Sequence, residues 1–435
     1  MAVDTAAKRL NVILLLRGGP PRPDGTLEEA DRATLGGVYG WGGIDAPATA
    51  SGLVTATTTA QFRALIEASD LEIDWSMALY DSDEAYVADI TSDVRAGKIT
   101  RNLYRTLHGT ATFTLSRQLL WGSQRLAPSV TLTSGAENLT ATWAMGRWLT
   151  SIPRRVVGAV PESYEVEAYD KLMLTDTPLG KSYAVASGTS YITAVETILG
   201  TELGETSYAI DQASASTLTT TTLNWLLDDK TTWLRVINDL LRSINYEGLW
   251  VDRDGRYRSR PYVDPANRGT AWYFDADDET GTIVGETRTV VPARSGDSIS
   301  DPVDTPNVFT FINPDIGTAP PTIDNGGIYQ VTNNTDGPTS VLQRGRPIPF
   351  VQRIPTSSGT TLVQQGNSSY IVWGNRFRTH LELDTGPCPP LWHFDVIDLV
   401  DSALGSHQRW AVEEWEMDLT TGSMKHLWRS VQAVA

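Results

Sequence analysis

One cysteine, Cys388, stands in 435 residues. That excludes an intrachain disulfide and any cysteine-built metal cluster, and it fits assembly in a reducing cytoplasm. Histidine is also sparse: His108, His380, His393, His407 and His426 are scattered, with no pair at metal-ligand spacing. Long apolar runs are missing. Residues 12–16 are apolar but Arg17 closes them, well short of the roughly 7–15 residues of a secretion signal or the roughly 20 of a membrane span. They read as an edge strand, and no stable membrane association is expected. Cations are short as well: 35 Lys and Arg against 52 Asp and Glu give a net charge of −17, so the chain as a whole repels nucleic acid. No G-x-S-x-G elbow is present. Gly180-Lys181-Ser182 ends like a phosphate loop, but Thr175 occupies the earlier position where that loop needs glycine. Asp252-Arg253-Asp254-Gly255 begins like a calcium loop with its glycine two positions early, and a hairpin turn explains it. The acidic residues at 275–279 read as a solvated turn, and Glu413, Glu414 and Glu416 as a strand surface rather than glycosidase carboxylates. No catalytic, cofactor or metal site is expected.

What the sequence has in quantity is alternation. Ile73, Trp75, Met77 and Leu79 alternate with polar or small neighbours; so do Ala111, Phe113 and Leu115, then Val130 and Leu132, then Tyr164, Val166 and Ala168. Period two predicts antiparallel strands with one wet face, closed as a barrel or sandwich. Near the C-terminus, residues 394–400, 409–419 and 424–431 predict three more strands, with Thr420-Thr421-Gly422 as a turn. Trp410 and Val412 share one parity while Trp415, Met417 and Leu419 share the other. A bulge at Glu413-Glu414 returns all five to one face.

Between these lies the clearest helix. Trp233, Val236, Ile237, Leu240, Leu241 and Ile244 form one apolar stripe, with Asp229, Thr231 or Thr232 as its N-cap and Gly248 as its stop. A hairpin follows, turning at Arg253-Asp254-Gly255 and ended by Pro261. The fold class is β-rich α+β and multidomain. Residues 1–70, Gly- and Pro-rich with short helices at 26–33 and 60–68, form an extended arm that packs on the chain's own body or on a neighbour. Residues 71–170 form a β domain, 171–265 an α/β domain with a further short helix at 190–199, and 266–435 a second, loop-rich β domain with a weak helical pattern at 360–377.

Charge is unevenly spread. From Arg95 to Arg155 nine basic side chains face the lone carboxylate of Glu137, a net +8; from Glu382 to Asp418 nine carboxylates face Arg409, a net −8. Two solvated surfaces, or two surfaces meant to meet, both fit this pattern.

Several stretches in this β, α/β, β order resemble tail-hub proteins of tailed bacteriophages, more closely the minor tail proteins of long-tailed phages of actinobacteria. They are ITRNLYRTLHGTATFTLSRQLLWGSQRLAPSVTL (99–132), YEVEAYDKLMLTD (164–176), SYAVASGTSYITAVETIL (182–199), the helix-hairpin with its RPYVDP exit, DTPNVFTF (304–311) and WAVEEWEMDLTTGSMKHLWRSV (410–431). Residues 1–70 lie outside the resemblance. It implies two tube-like antiparallel β-barrels bracketing the α/β insertion. Three chains would form a pseudo-six-fold ring that adapts a hexameric tail tube to a three-fold tip, with DNA passing through its centre. Implied partners are further copies of the chain, the distal tail protein ring, the tape-measure protein and tip or fibre proteins, with DNA only in transit. Some relatives carry a peptidoglycan hydrolase further along; this chain ends after the second barrel, so no enzyme is expected. In such a ring first and second barrels alternate, and the +8 segment (Arg101, Arg105, Arg117) would meet the −8 segment (Glu413, Glu414, Glu416) at the subunit seams. The competing class is a carbohydrate- or host-receptor-binding virion protein, suggested by the Thr content and 14 tryptophans, most of which sit at core positions.

Overall fold

The computed structural model describes most of residues 53–431; residues 1–52, 276–305, 371–379, 401–407 and 432–435 lie outside the described residues, as do shorter stretches such as 157–162, 314–320 and 335–339. The expected strand at 12–16, the helix at 26–33 and most of the acidic cluster at 275–279 therefore fall outside it.

In chain order the strands begin with β1 (Val54–Thr55), β2 (Glu72–Tyr80), β3 (Tyr86–Asp89), β4 (Val94–Asn102) and β5 (Gly109–Leu115). Next come β6 (Arg125–Ser134), β7 (Leu139–Ala144), β8 (Trp148–Thr150), β9 (Arg154–Val156) and β10 (Ser163–Asp170). Helices α1 (Leu172–Thr175), α2 (Tyr191–Thr197) and α3 (Trp233–Ser243) are interleaved with β11 (Tyr183–Val185), β12 (Tyr208–Ile210) and β13 (Leu223–Trp225), and followed by β14 (Trp250–Val251) and β15 (Tyr257–Ser259). The rest comprises β16 (Trp272–Asp275), β17 (Val308–Ile312), β18 (Ile328–Thr332), α4 (Val341–Arg344), β19 (Pro349–Arg353), β20 (His380–Thr385), β21 (Val396–Val400), β22 (Gln408–Asp418) and β23 (Met424–Ser430).

The chain divides into two compact units. The first gathers Met1–Asp170, Pro265–Asp297 and His380–Ala435. It is built on one 15-stranded sheet containing β1 to β10, β16 and β20 to β23. Each period-two segment of the sequence is a strand of this sheet, because alternating apolar residues bury one face and leave the other wet. The β-rich architecture expected from the sequence is present; of the two tube-like barrels, none closes among the described residues, and both strand-rich segments share one sheet. The join is β4 paired antiparallel with β22, Lys98 opposite Asp418 and Asn102 opposite Glu414. Its ladder extends past the strand, where Gly97 O accepts the Leu419 amide at 2.8 Å. The β22–β23 register shifts between Val412 and Glu414, so Glu413 is the extra residue of a bulge. Trp410, Val412, Trp415, Met417 and Leu419 are consequently all buried.

The second unit gathers Lys171–Asp264 and Ser298–Thr379. Residues 298–379 thus cluster with the α/β segment, not with the strands that flank them in sequence. In the α/β segment, α3 buries Trp233, Val236, Ile237, Leu240 and Leu241, each worth about 1.5–3 kcal/mol relative to exposure. The Thr232 hydroxyl caps it, accepting the Arg235 amide at 3.3 Å. The helix ends earlier than Gly248: Asn245 takes φ +59°, a left-handed turn that Asn tolerates. The hairpin β14–β15 is present, with Gly255 at φ +80°. The Asp252 carboxylate accepts the amides of Asp254 and Arg256 and the Arg258 side chain at 2.8–3.0 Å, so its oxygens serve the turn. β12 adds in parallel to β15, completing a three-stranded sheet. In the 298–379 segment, β18–β17–β19 form another, with Phe309, Phe311, Ile354 and Leu362 as its core.

Candidate functional site

Within the first unit, β10, β5, β4, β22, β23 and β20 pair in that order, every junction antiparallel. Two faces of opposite character result. On one, a row crosses the strands as Tyr169, Thr110, Thr100, Glu416, Lys425, Asp384. A neighbouring row runs Glu167, Thr112, Lys98, Asp418, and another Asn102, Glu414, Leu427, Glu382. All of these residues are exposed or half-buried. The face is polar, with short threonines at its middle. Glu165, Glu167, Glu382, Asp384, Glu414, Glu416 and Asp418 set seven carboxylates against the ammonium groups of Lys98 and Lys425. Across the β4–β22 join the Lys98 ammonium lies 2.7 Å from Glu416, the Thr100 hydroxyl donates to Glu416 at 3.5 Å, and the Asn102 amide donates to Glu414.

The reverse face is sealed. Ile99, Phe113, Val166, Trp415, Met417, Trp428 and Leu383 are buried there. Arg101 is 0% exposed, with its guanidinium 3.2 Å from the equally buried Asp170 carboxylate and 5.1 and 4.7 Å from the ring centres of Trp148 and Trp392. A Cβ at Gly109 would lie 2.9 Å from the Asp170 carboxylate, and one at Gly146 2.9 Å from the Arg101 guanidinium. Only glycine leaves room for this pair at either place. Glu413, the extra residue of the bulge, is buried too, but it meets Arg429 at 3.1 Å and His380 at 3.2 Å, a pair in register with each other at the parity of Glu382 and Lys425 on the polar side.

The six residues expected at a seam therefore have different fates. Glu414 and Glu416 stand on the polar face, facing β4 of their own chain. Arg101 and Glu413 are buried, and a side chain with no surface has nothing to offer a neighbour. Arg117 is half exposed and 3.5 Å from Asp93, and Arg105 is exposed in the β4–β5 turn. The basic and acidic segments do meet, but inside one chain. Lys98, Thr100 and Asn102, absent from the expected set, carry that meeting; the signal for them was their parity, opposite to that of buried Ile99 and Arg101.

Among the described residues no group of three His, Cys, Asp or Glu side chains is placed to hold a metal ion. Lys181 pairs with Glu202 at 2.5 Å. Buried His426 bonds the Thr385 hydroxyl at 2.7 Å, and burial pushes its pKa down to about 3. Tryptophans 148, 233, 250, 392, 410, 415 and 428 are buried, which removes them from any sugar-binding platform. No described helix is long and apolar enough to cross a membrane.

No protein-family model matches the sequence, and no curated protein does. The fold is that of a tail protein. The tail protein from Neisseria meningitidis MC58 superposes with a TM-score of 0.52 at 9% identity, over 83% of this chain and 97% of that one. The 43 kDa tail protein of prophage MuSo2 from Shewanella oneidensis gives 0.47 at 12% identity, over 82% and 98%. A prophage tail protein from Listeria monocytogenes EGD-e gives 0.44 at 10% identity, over 83% and 95%.

Proposed function

We propose that the chain is a structural virion protein of a bacteriophage tail. Three copies form a pseudo-six-fold hub ring at the distal end of the tail, between a hexameric tube and a three-fold tip. The observation that carries this reading is the six-stranded polar face. It spans both strand-rich segments, so one chain supplies a double-width arc of wall. Its surface suits a passage for DNA. Binding to a phosphate backbone requires Lys or Arg to displace counterions. A face of threonine hydroxyls and surplus carboxylates supplies few such sites and sets up a negative field, so a duplex passes without sticking. The role is mechanical, with no catalysis. Its partners are the distal tail protein ring, the tape-measure protein and tip or fibre proteins; assembly takes place in the host cytoplasm, and a long-tailed phage of actinobacteria is the proposed origin. Sedimentation equilibrium of the full chain tests the ring. A species of three times the chain mass supports it; a chain that stays monomeric to its solubility limit refutes it.

A further inference from the structure

The sheet of the first unit has a branch that runs β1–β7–β6–β2–β3, and β3 pairs with β2 alone among the described residues. An open strand edge offers N–H and C=O groups at ladder spacing, and charge or a bulge there keeps stray strands away. β3 has both guards. Its register with β2 shifts between Leu79 and Tyr80, and Asp83 and Asp89 are exposed near its two ends. Between them, however, Tyr86 is 61% exposed and Val87 47%. The edge is also held in place. Tyr86 packs edge-on against Tyr80 with ring centres 5.9 Å apart, and the Arg147 guanidinium lies 3.5 Å from the centre of the Tyr80 ring. The Asp81 carboxylate accepts the Asp83 and Ala85 amides at 2.9 Å, fixing the turn before the strand. A second copy of β3 does not suit this edge. Asp81, Asp83, Glu84, Asp89 and Asp93 lie between Tyr80 and Val94 with no Lys or Arg among them, so like charges would stand face to face.

The chain itself contains a run of complementary chemistry. From Thr5 to Pro23 the sequence holds Lys8, Arg9, Arg17 and Arg22 and no Asp or Glu. Lys8 and Arg9 precede, and Arg17 follows, the run Leu10-Asn11-Val12-Ile13-Leu14-Leu15-Leu16. Its branched apolar side chains suit a strand that is covered on both faces. We propose that residues 10–16 add a strand to the outer edge of β3 in their own chain, covering Tyr86 and Val87, with the flanking cations facing Asp83 and Asp89. The tether permits it. Residues 17–53 span up to about 120 Å when extended, whereas β3 lies four strand spacings, about 19 Å, from the β1 strand that follows them. Because the run is attached to its own receptor, docking is intramolecular and needs little intrinsic affinity. Once docked, it closes an edge to foreign strands. Residues 1–70 lie outside the resemblance to tail-hub proteins, so the contact stands or falls independently of the ring.

Hydrogen exchange of the full-length chain, read by mass spectrometry, tests this contact. Amides of residues 10–16 and 86–89 are expected to be protected together in the wild type. The double variant Ile13→Asp with Leu15→Asp should exchange about tenfold faster or more at both places. β5, paired on both sides by β4 and β10, should keep its wild-type rate and so report an intact fold. A second variant, Ile13→Cys with Val87→Cys, is oxidised with copper phenanthroline. A link between positions 13 and 87 within one chain is expected; the native Cys388 is buried and stays out of the reaction. Equal exchange at 86–89 in the wild type and the double Asp variant, or a link found only between chains, overturns the proposal.

Discussion

The two faces of the six-stranded run treat charge in opposite ways. On the sealed face the buried charge is matched: Arg101 with Asp170 between two tryptophan rings. On the open face carboxylates outnumber ammonium groups, and the surplus is left to water. Burial explains the difference. A charge taken out of water costs several kcal/mol unless a partner offsets it, whereas an exposed one is solvated and screened. Matched charge on the sealed face fixes how the strands stack, and surplus charge on the open face is free to act on whatever lies before it.

The largest expected break in this comparison is Asp170→Ala. It strips the buried guanidinium of Arg101 of its carboxylate and should cost about 3–5 kcal/mol; thermal melting unchanged from wild type would mean that the pair is not sealed. Acid should come next. Burial holds the His426 pKa near 3, below the ordinary value of 6.5, and His108 is pushed down to about 4 by burial first and by Arg101 second. Above pH 6.5 both folded and unfolded chains keep these rings neutral. As pH falls from there toward the folded values, only the unfolded chain takes up protons, so stability declines. For His426 the loss should be on the order of 2–3 kcal/mol by pH 4, and His426→Gln should flatten the dependence in urea titrations across that range. Gly97→Val is expected to cost about 1–3 kcal/mol, because overpacked side chains must shift. A Cβ there already falls 2.8 Å from Leu419 and 3.0 Å from Phe113, at the β4–β22 join. Glu416→Gln should be the mildest. Its partner Lys98 is 49% exposed, and such pairs are worth about 0–1 kcal/mol, less in salt. A loss as large as that of Asp170→Ala would show that the open face is not open.

Features set by local pattern were legible in the sequence. The strands, α3 with its Thr232 cap, the hairpin and the bulge each follow from residues within a turn or two of one another. Strand neighbours were not legible, since pairing β4 with β22 joins segments about 300 residues apart. Nor did the charge count find the site. It grouped Arg101 with Arg105 and Arg117 as surface cations, although Arg101 shares strand parity with Ile99 and belongs to the core. Parity decides more than sign does here: one step along the strand separates the sealed guanidinium of Arg101 from the half-buried amide of Asn102 that meets Glu414. The insertion of 298–379 was hidden for a similar reason, because its short strands resemble those on either side.

Cryo-electron microscopy of the isolated full-length chain tests the account most directly. The predicted map holds three copies around a central passage, with Thr112, Glu416 and Asp384 on the wall of that passage. A monomer, or a ring that turns those three residues to the outer solvent, would contradict it.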